Sequence, residues 1–177
     1  MLMARLSFSG LLNNGRADIA IFGEGVEASK EEKLGTYLRM TEGRPLKDTD
    51  DFGIVLGEGV AQSQKLAPGD RVTLLINNKD GSINTLDFEV VGVFRSFSKD
   101  FDARAVPIPL AAAQELLTSA GAHSMVVSLA RSEETEAAAI RLRAVLGSAG
   151  FEVFTWDQLS DFYRNAAQVY DIQFGVL

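Results

Sequence analysis

Apolar and polar positions change places in short blocks along the chain, and each block predicts an element. Residues 4–12 and 17–22 are apolar runs parted by the polar stretch 13–16. Asn14-Gly15 within that stretch supplies the left-handed backbone of a tight turn, which predicts a β-hairpin. Leu34, Tyr37 and Leu38 fall at helical spacing and predict a short surface helix over 27–40, weakened by Gly35. Residues 41–51 are turn-rich and predict a loop, and residues 53–56 predict a short strand. A short helix follows with Val60, Ala61 and Leu66 facing inward, then a turn at Pro68-Gly69-Asp70. Residues 71–77 and 86–94 are β-rich and joined by the hairpin signal of residues 78–82. In the second of these, Phe88, Val90 and Gly92 alternate with Glu89, Val91 and Val93, the pattern of a strand covered on both faces.

Pro107 and Pro109 bracket a strand exit, and Pro109 suits the first turn of a helix, where its missing N–H costs nothing. Leu110, Ala113, Leu116 and Leu117 give that helix its apolar stripe. Residues 124–130 predict a strand, 132–150 a helix and 151–156 a returning strand, together one split β–α–β unit. Ser132 is placed to cap the helix, Glu133, Glu134 and Glu136 suit its positive end, and Arg141 and Arg143 its negative end. Ala138, Leu142, Val145 and Leu146 are expected to face inward, and Gly147 or Gly150 to end it. Asp157 is expected to cap a last helix with Leu159, Phe162, Ala166 and Val169 on one face. Hairpins mixed with a β–α–β unit make the fold class α+β.

Composition narrows the function. With 177 residues, 46% hydrophobic and 23% charged, the chain is one large domain or two small ones with a real core. A net charge of −7 with no two adjacent basic residues excludes a nucleic-acid partner. The absence of cysteine removes disulfides, thiol nucleophiles and thiolate metal sites. No apolar run is long enough for a membrane helix, and residues 1–6 are too short and weakly basic for a signal peptide. Residues 169–177 end in a rising apolar run, which reads either as the start of a longer hydrophobic segment or as an ordinary terminal helix.

Candidate chemistry is sparse. His123 beside Ser124 is the one nucleophile–base couple, and neighbours in an extended chain point apart. Asp48, Asp50 and Asp51 lack the spacing of a calcium loop and read as caps and solvated turn residues. Gly57 and Gly59 precede a helix but lack the Gly-Lys-Ser/Thr of a phosphate loop, so they read as a tight strand-to-helix turn. Phe94, Phe97 and Phe101 are interleaved with Arg95, Lys99, Asp100, Asp102 and Arg104, the composition of a protein-contact patch or of a loop anchored on a sheet. Trp156, before Asp157, reads as a staple at the start of the last helix. No cofactor and no metal site is expected.

Four phrases in order carry a resemblance: EGRPL (42–46), GIVLGEGVAQSQKLAPGDRVTLL (53–75), FEVVGVFRS (88–96) and VPIPLAAAQELL (106–117). In register they resemble the extracytoplasmic core domain of macrolide-exporter-like ABC transporter permeases, most closely the lipoprotein-releasing permeases. The stretch 156–165 also fits the helix leading to a following membrane span.

The resemblance implies a non-catalytic domain at the inner membrane, facing the periplasm or cell exterior. It implies two subdomains: a porter-like part of residues 1–26 and 122–177, trimmed at its N-terminal side, and an inserted part of residues 27–121. The implied partners are a second permease subunit, a separate cytoplasmic ATPase and a lipoprotein or lipoprotein carrier. Partner contact is expected at Asn78, Lys79 and Asp80 and at Arg95, Phe97 and Phe101. In such permeases one subunit hooks the carrier with a protruding hairpin. Here the hairpin 75–86 has a short tip without a proline-bearing extension, which points to a non-hooking subunit or to another amphipathic cargo. The rival functions are a drug or peptide exporter of the macrolide type and a small hydrolase using His123.

Overall fold

The computed structural model describes residues 1–34 and 38–159, in two units, Met1–Ser128 and Leu129 onward. The first unit begins with β1 (Leu2–Asn13), β2 (Asp18–Val26), α1 (Ala28–Leu34), β3 (Arg39–Gly43), β4 (Gly53–Gly57) and α2 (Glu58–Gln64). It continues with β5 (Arg71–Asn77), β6 (Ile83–Arg95), α3 (Lys99–Asp102), β7 (Ala105–Pro109), α4 (Leu110–Leu116) and β8 (Ser124–Val127).

The β1–β2 hairpin runs in register from Asn13↔Asp18 to Leu6↔Gly25. Its turn is closed by side chains: Asn13 Oδ1 accepts the Gly15 N–H at 2.7 Å, and Asn14 Oδ1 accepts the Arg16 and Ala17 N–H groups at 2.8 Å. The strands follow the order β3-β6-β5-β1-β2-β7, with β4 added to β6 and β8 to the start of β1. Pairing is antiparallel except for β2 with β7 and β4 with β6. Because β4 also lies alongside β7, the sheet curls until its ends approach, and β4 is buried at every position. Ile54 and Leu56 join the main core with Leu6, Phe8, Leu74 and Phe88, while Val55 joins a second cluster with Phe94 and Ala105. Each such side chain contributes about 1.5–3 kcal/mol by leaving water.

β1 changes phase as it passes from one ladder to another. Met3 is buried where the strand pairs with β8, and Leu6, Phe8 and Leu12 are buried where it pairs with β2. α4 lies directly on β2 because Gly25 has no side chain there: a Cβ would stand 2.4 Å from that of Ala113.

The structure is an α+β fold, as its pattern predicts, but several elements differ. Of the helix expected over 27–40, Ala28–Leu34 is helical among the described residues, whereas Arg39–Gly43 is a strand. The β6 edge takes these residues (Arg39↔Arg95, Met40↔Phe94), and Leu38 and Met40 pack on the Phe94 cluster, so tertiary pairing overrides local helix preference. Tyr37 lies outside the described residues. The expected loop 41–51 therefore begins only after Gly43. The strand expected over 124–130 ends at Val127.

In the second unit, Ser132 is not the helix cap. It lies in a 3-10 turn, Ser132–Glu134, which leads into α5 (Thr135–Leu146), and a second such turn ends at Gly150 in the left-handed conformation. Ala139 is the buried residue of α5, whereas Val145, expected inward, is 72% exposed. Residues 151–155 form no strand; their apolar alternation finds no ladder among the described residues. Helix resumes at Trp156, so Thr155 holds the cap position that Asp157 was expected to fill. The Thr155 N–H donates to Gln158 Oε1 at 3.0 Å, one half of a capping box, and the Leu159 N–H to Thr155 O at 3.1 Å makes the first helical bond. Trp156 is thus the first helical residue and is exposed. Phe162, Ala166 and Val169 lie outside the described residues.

Candidate functional site

The expected contact residues sit on two separate features of the first unit. Asn78, Lys79 and Asp80 form the turn of the β5–β6 hairpin, which stacks its polar groups on one another. The Asn78 N–H donates to Ser82 O at 2.8 Å, and Asp80 Oδ1 accepts from the Ser82 N–H at 2.9 Å and its hydroxyl at 2.6 Å. The Ser82 hydrogen bond holds the Asp80 carboxyl below its usual range. The tip is therefore an ordered, charged knob with Lys79 and Asp80 exposed.

Arg95, Phe97 and Phe101 lie on the second feature, the segment 95–104. Its keystone is Asp102, 4% exposed, whose two carboxylate oxygens both accept the Ser96 N–H at 3.0 Å. Ser98 caps α3 by accepting the Phe101 N–H at 3.3 Å. Gly57 and Gly59 let this loop press onto the start of α2: a Cβ would meet Asp102 O at 2.2 Å and Ala103 Cα at 2.7 Å respectively. Close packing accounts for those two glycines, since Gly57 has φ −60° and ψ 145°, a conformation open to any residue. Arg95 is held in a two-point ion pair with Glu58 at 2.8 and 2.5 Å, which lowers the Glu58 carboxyl. The three phenylalanines divide their tasks. Phe94 is core, Phe101 tilts against it with ring centres 6.0 Å apart and stays 47% exposed, and Phe97 is 84% exposed.

Phe101 also lines an open groove of about 460 Å³ with Ser7, Ser9, Phe22, Glu24 and Pro107. Phe22 is 56% exposed, and the Arg104 guanidinium stands 5.9 Å from its ring centre. Sequence reasoning passed over this groove. The available signal was phase: Phe22 occupies the outward register of β2 shared by Ala20 and Glu24, where a large apolar residue is out of place. Burial raises the Glu24 carboxyl, with Arg5 opposing and Glu31 adding to the shift. Arg5 itself forks onto Glu31 at 2.8 and 2.9 Å.

The other candidates resolve into scaffold roles. Asp50 accepts two bonds from Arg44 at 2.7 and 2.8 Å and the Lys47 N–H at 2.8 Å, while Asp48 accepts the Ser29 N–H at the start of α1. His123 is exposed, and its backbone N–H donates to Arg5 O at 2.9 Å, one rung beyond the β1–β8 ladder. Among the described residues no group of three or more acidic or histidine side chains is gathered as a metal site would require. What remains exposed is a charged hairpin tip and a loop that holds aromatic rings against water.

The model of the MacB-like periplasmic core domain matches residues 3–145. The lipoprotein-releasing system transmembrane protein LolE of Haemophilus influenzae is 29% identical over 119 residues, covering 64% of this chain and 28% of LolE. The chain thus spans little more than a quarter of that curated relative. The periplasmic region of MacB from Actinobacillus actinomycetemcomitans superposes with a TM-score of 0.64 at 16% identity, over 93% of this chain and 75% of the other. The extracellular domain of the noncanonic ABC-type transporter YknZ from Gram-positive bacteria gives a TM-score of 0.64 at 14% identity, over 86% and 77%. The structures share the α+β fold, and the family match runs through both hairpins and the loop 95–104: the chain belongs to the MacB-like periplasmic core domain family.

Proposed function

We propose that this domain couples the motion of an ABC permease's membrane helices to the release of a lipoprotein or similar amphipathic cargo, through contacts made outside the membrane. The observation that carries the reading is the family match over residues 3–145, joined by the likeness to a lipoprotein-releasing permease. The domain supplies shape and no bond chemistry. ATP is hydrolysed on a separate cytoplasmic subunit, and the domain closes against a second permease subunit as the helices move. Rigid packing suits such work, because close-packed elements move between discrete arrangements instead of deforming. On this reading residues 27–121 are an inserted subdomain, and the hairpin tip (Asn78, Lys79, Asp80) and the loop residues Arg95, Phe97 and Phe101 touch the partners.

An exporter of the macrolide type, working with an adaptor and an outer channel, is the second reading, favoured by the likeness to the MacB periplasmic region. Capture of the tagged permease from crosslinked membranes separates the two. Recovery of lipoproteins or their carrier is expected. Recovery of an adaptor and a channel in their place would establish the second reading. Deleting residues 27–121 is expected to abolish transport while the ATPase still assembles, and unaltered transport would refute both.

A further inference from the structure

Helix α4 stops on a left-handed residue that is not glycine. The Thr118 N–H donates to Glu115 O at 3.1 Å and the Ser119 N–H to Gln114 O at 2.9 Å, with Thr118 at φ 50°. These two reversed bonds are a helix stop in which glycine is the usual left-handed residue. Threonine is costly there, because its branched Cβ crowds the backbone in that conformation. Lys65 makes the same stop after α2, but with an unbranched side chain.

What threonine adds is a hydroxyl. Thr118 Oγ1 accepts from the Asn84 side-chain amide at 2.9 Å, and the same amide donates to Leu116 O at 3.0 Å. Asn84 stands on β6 opposite Ile76, just past the turn whose tip is Asn78, Lys79 and Asp80. One side chain therefore spends both its donors tying the hairpin to the end of α4. Gln114 carries the tie onward, its amide donating to Ala120 O and Gly121 O, both at 3.2 Å, in the connection to β8. The left-handed backbone at Thr118 persists because the surrounding bonds hold it, local strain of the kind that survives only where neighbouring structure over-determines it.

We propose that Asn84 and Thr118 are a mechanical coupling that carries displacement of the β5–β6 hairpin into α4 and the α4–β8 connection. Only the trigger, a partner engaging the tip, rests on the function proposed above. The coupling itself is tested on the chain alone by hydrogen exchange, so its failure is distinct from a failure of that reading. Thr118→Gly relieves the strain and keeps the fold, yet removes the hydroxyl. It is expected to lower protection of the hairpin amides around residues 76–85 about tenfold, with global stability unchanged or raised. Thr118→Val, which lacks the hydroxyl, is expected to do the same, and Thr118→Ser, which retains it, to stay within about twofold of the parent. Hairpin protection unchanged in Thr118→Gly, or lost equally in Thr118→Ser, would overturn the coupling.

Discussion

Single side chains fix the two features that face outward. The Asp102 carboxylate is buried and receives the Ser96 N–H on both oxygens, so the loop bearing Phe97 hangs on that contact. Asp102→Ala is expected to cost about 1–3 kcal/mol in urea unfolding by leaving that N–H without its acceptor. Asp50 offers a pH test. Its hydrogen bonds from Arg44 lead in pulling its carboxyl below the usual range, against the opposing effect of burial. A depressed carboxyl stabilises the fold above its ordinary pKa and loses that contribution as pH falls through the folded value. Since Arg44 is partly exposed, Asp50→Asn is expected to cost about 1 kcal/mol at pH 7. The gap between parent and variant should close below about pH 4, and a gap constant to pH 3 would contradict the assignment. Glu24, raised by burial, contributes with the opposite sign: its share of stability declines as pH rises just above the ordinary carboxylate range.

At the scale of elements, the loop 95–104 separates anchoring from display. Phe94 and Asp102 anchor, and Phe97 displays. Phe97→Ser is therefore expected to leave the unfolding free energy within about 0.5 kcal/mol of the parent while weakening partner capture from membranes. A large loss of stability would mean the ring is packing and not surface. The same elements mark what the sequence could reveal. Both hairpins were legible because Asn14-Gly15 and residues 78–82 carry turn chemistry of their own. β3 was not, since Arg39–Gly43 is a polar edge strand whose identity comes from β6 and not from any alternation. Residues 151–155 misled in the other direction, with alternation but no ladder. Phe97 and Phe101 were found by composition, but the groove beside them needed β1, β2 and β7 brought together, which no local pattern encodes.

For the molecule as a whole, the first unit is a curled sheet closed by packing of β4 beside β7, and its exposed protrusions emerge from connections and not from the core. That division, a stiff interior with ordered protrusions, is what a domain needs if it passes movement from membrane helices to a partner. The central claim is that these protrusions meet another polypeptide of the transporter. The direct measurement is photocrosslinking in native membranes, with a photoreactive phenylalanine analogue at position 97 of the permease that carries this domain. The account predicts one discrete adduct with a second transporter component or its cargo, its yield changing between ATP-bound and nucleotide-free states. No adduct from position 97 in either state, in a permease that still transports, would contradict it.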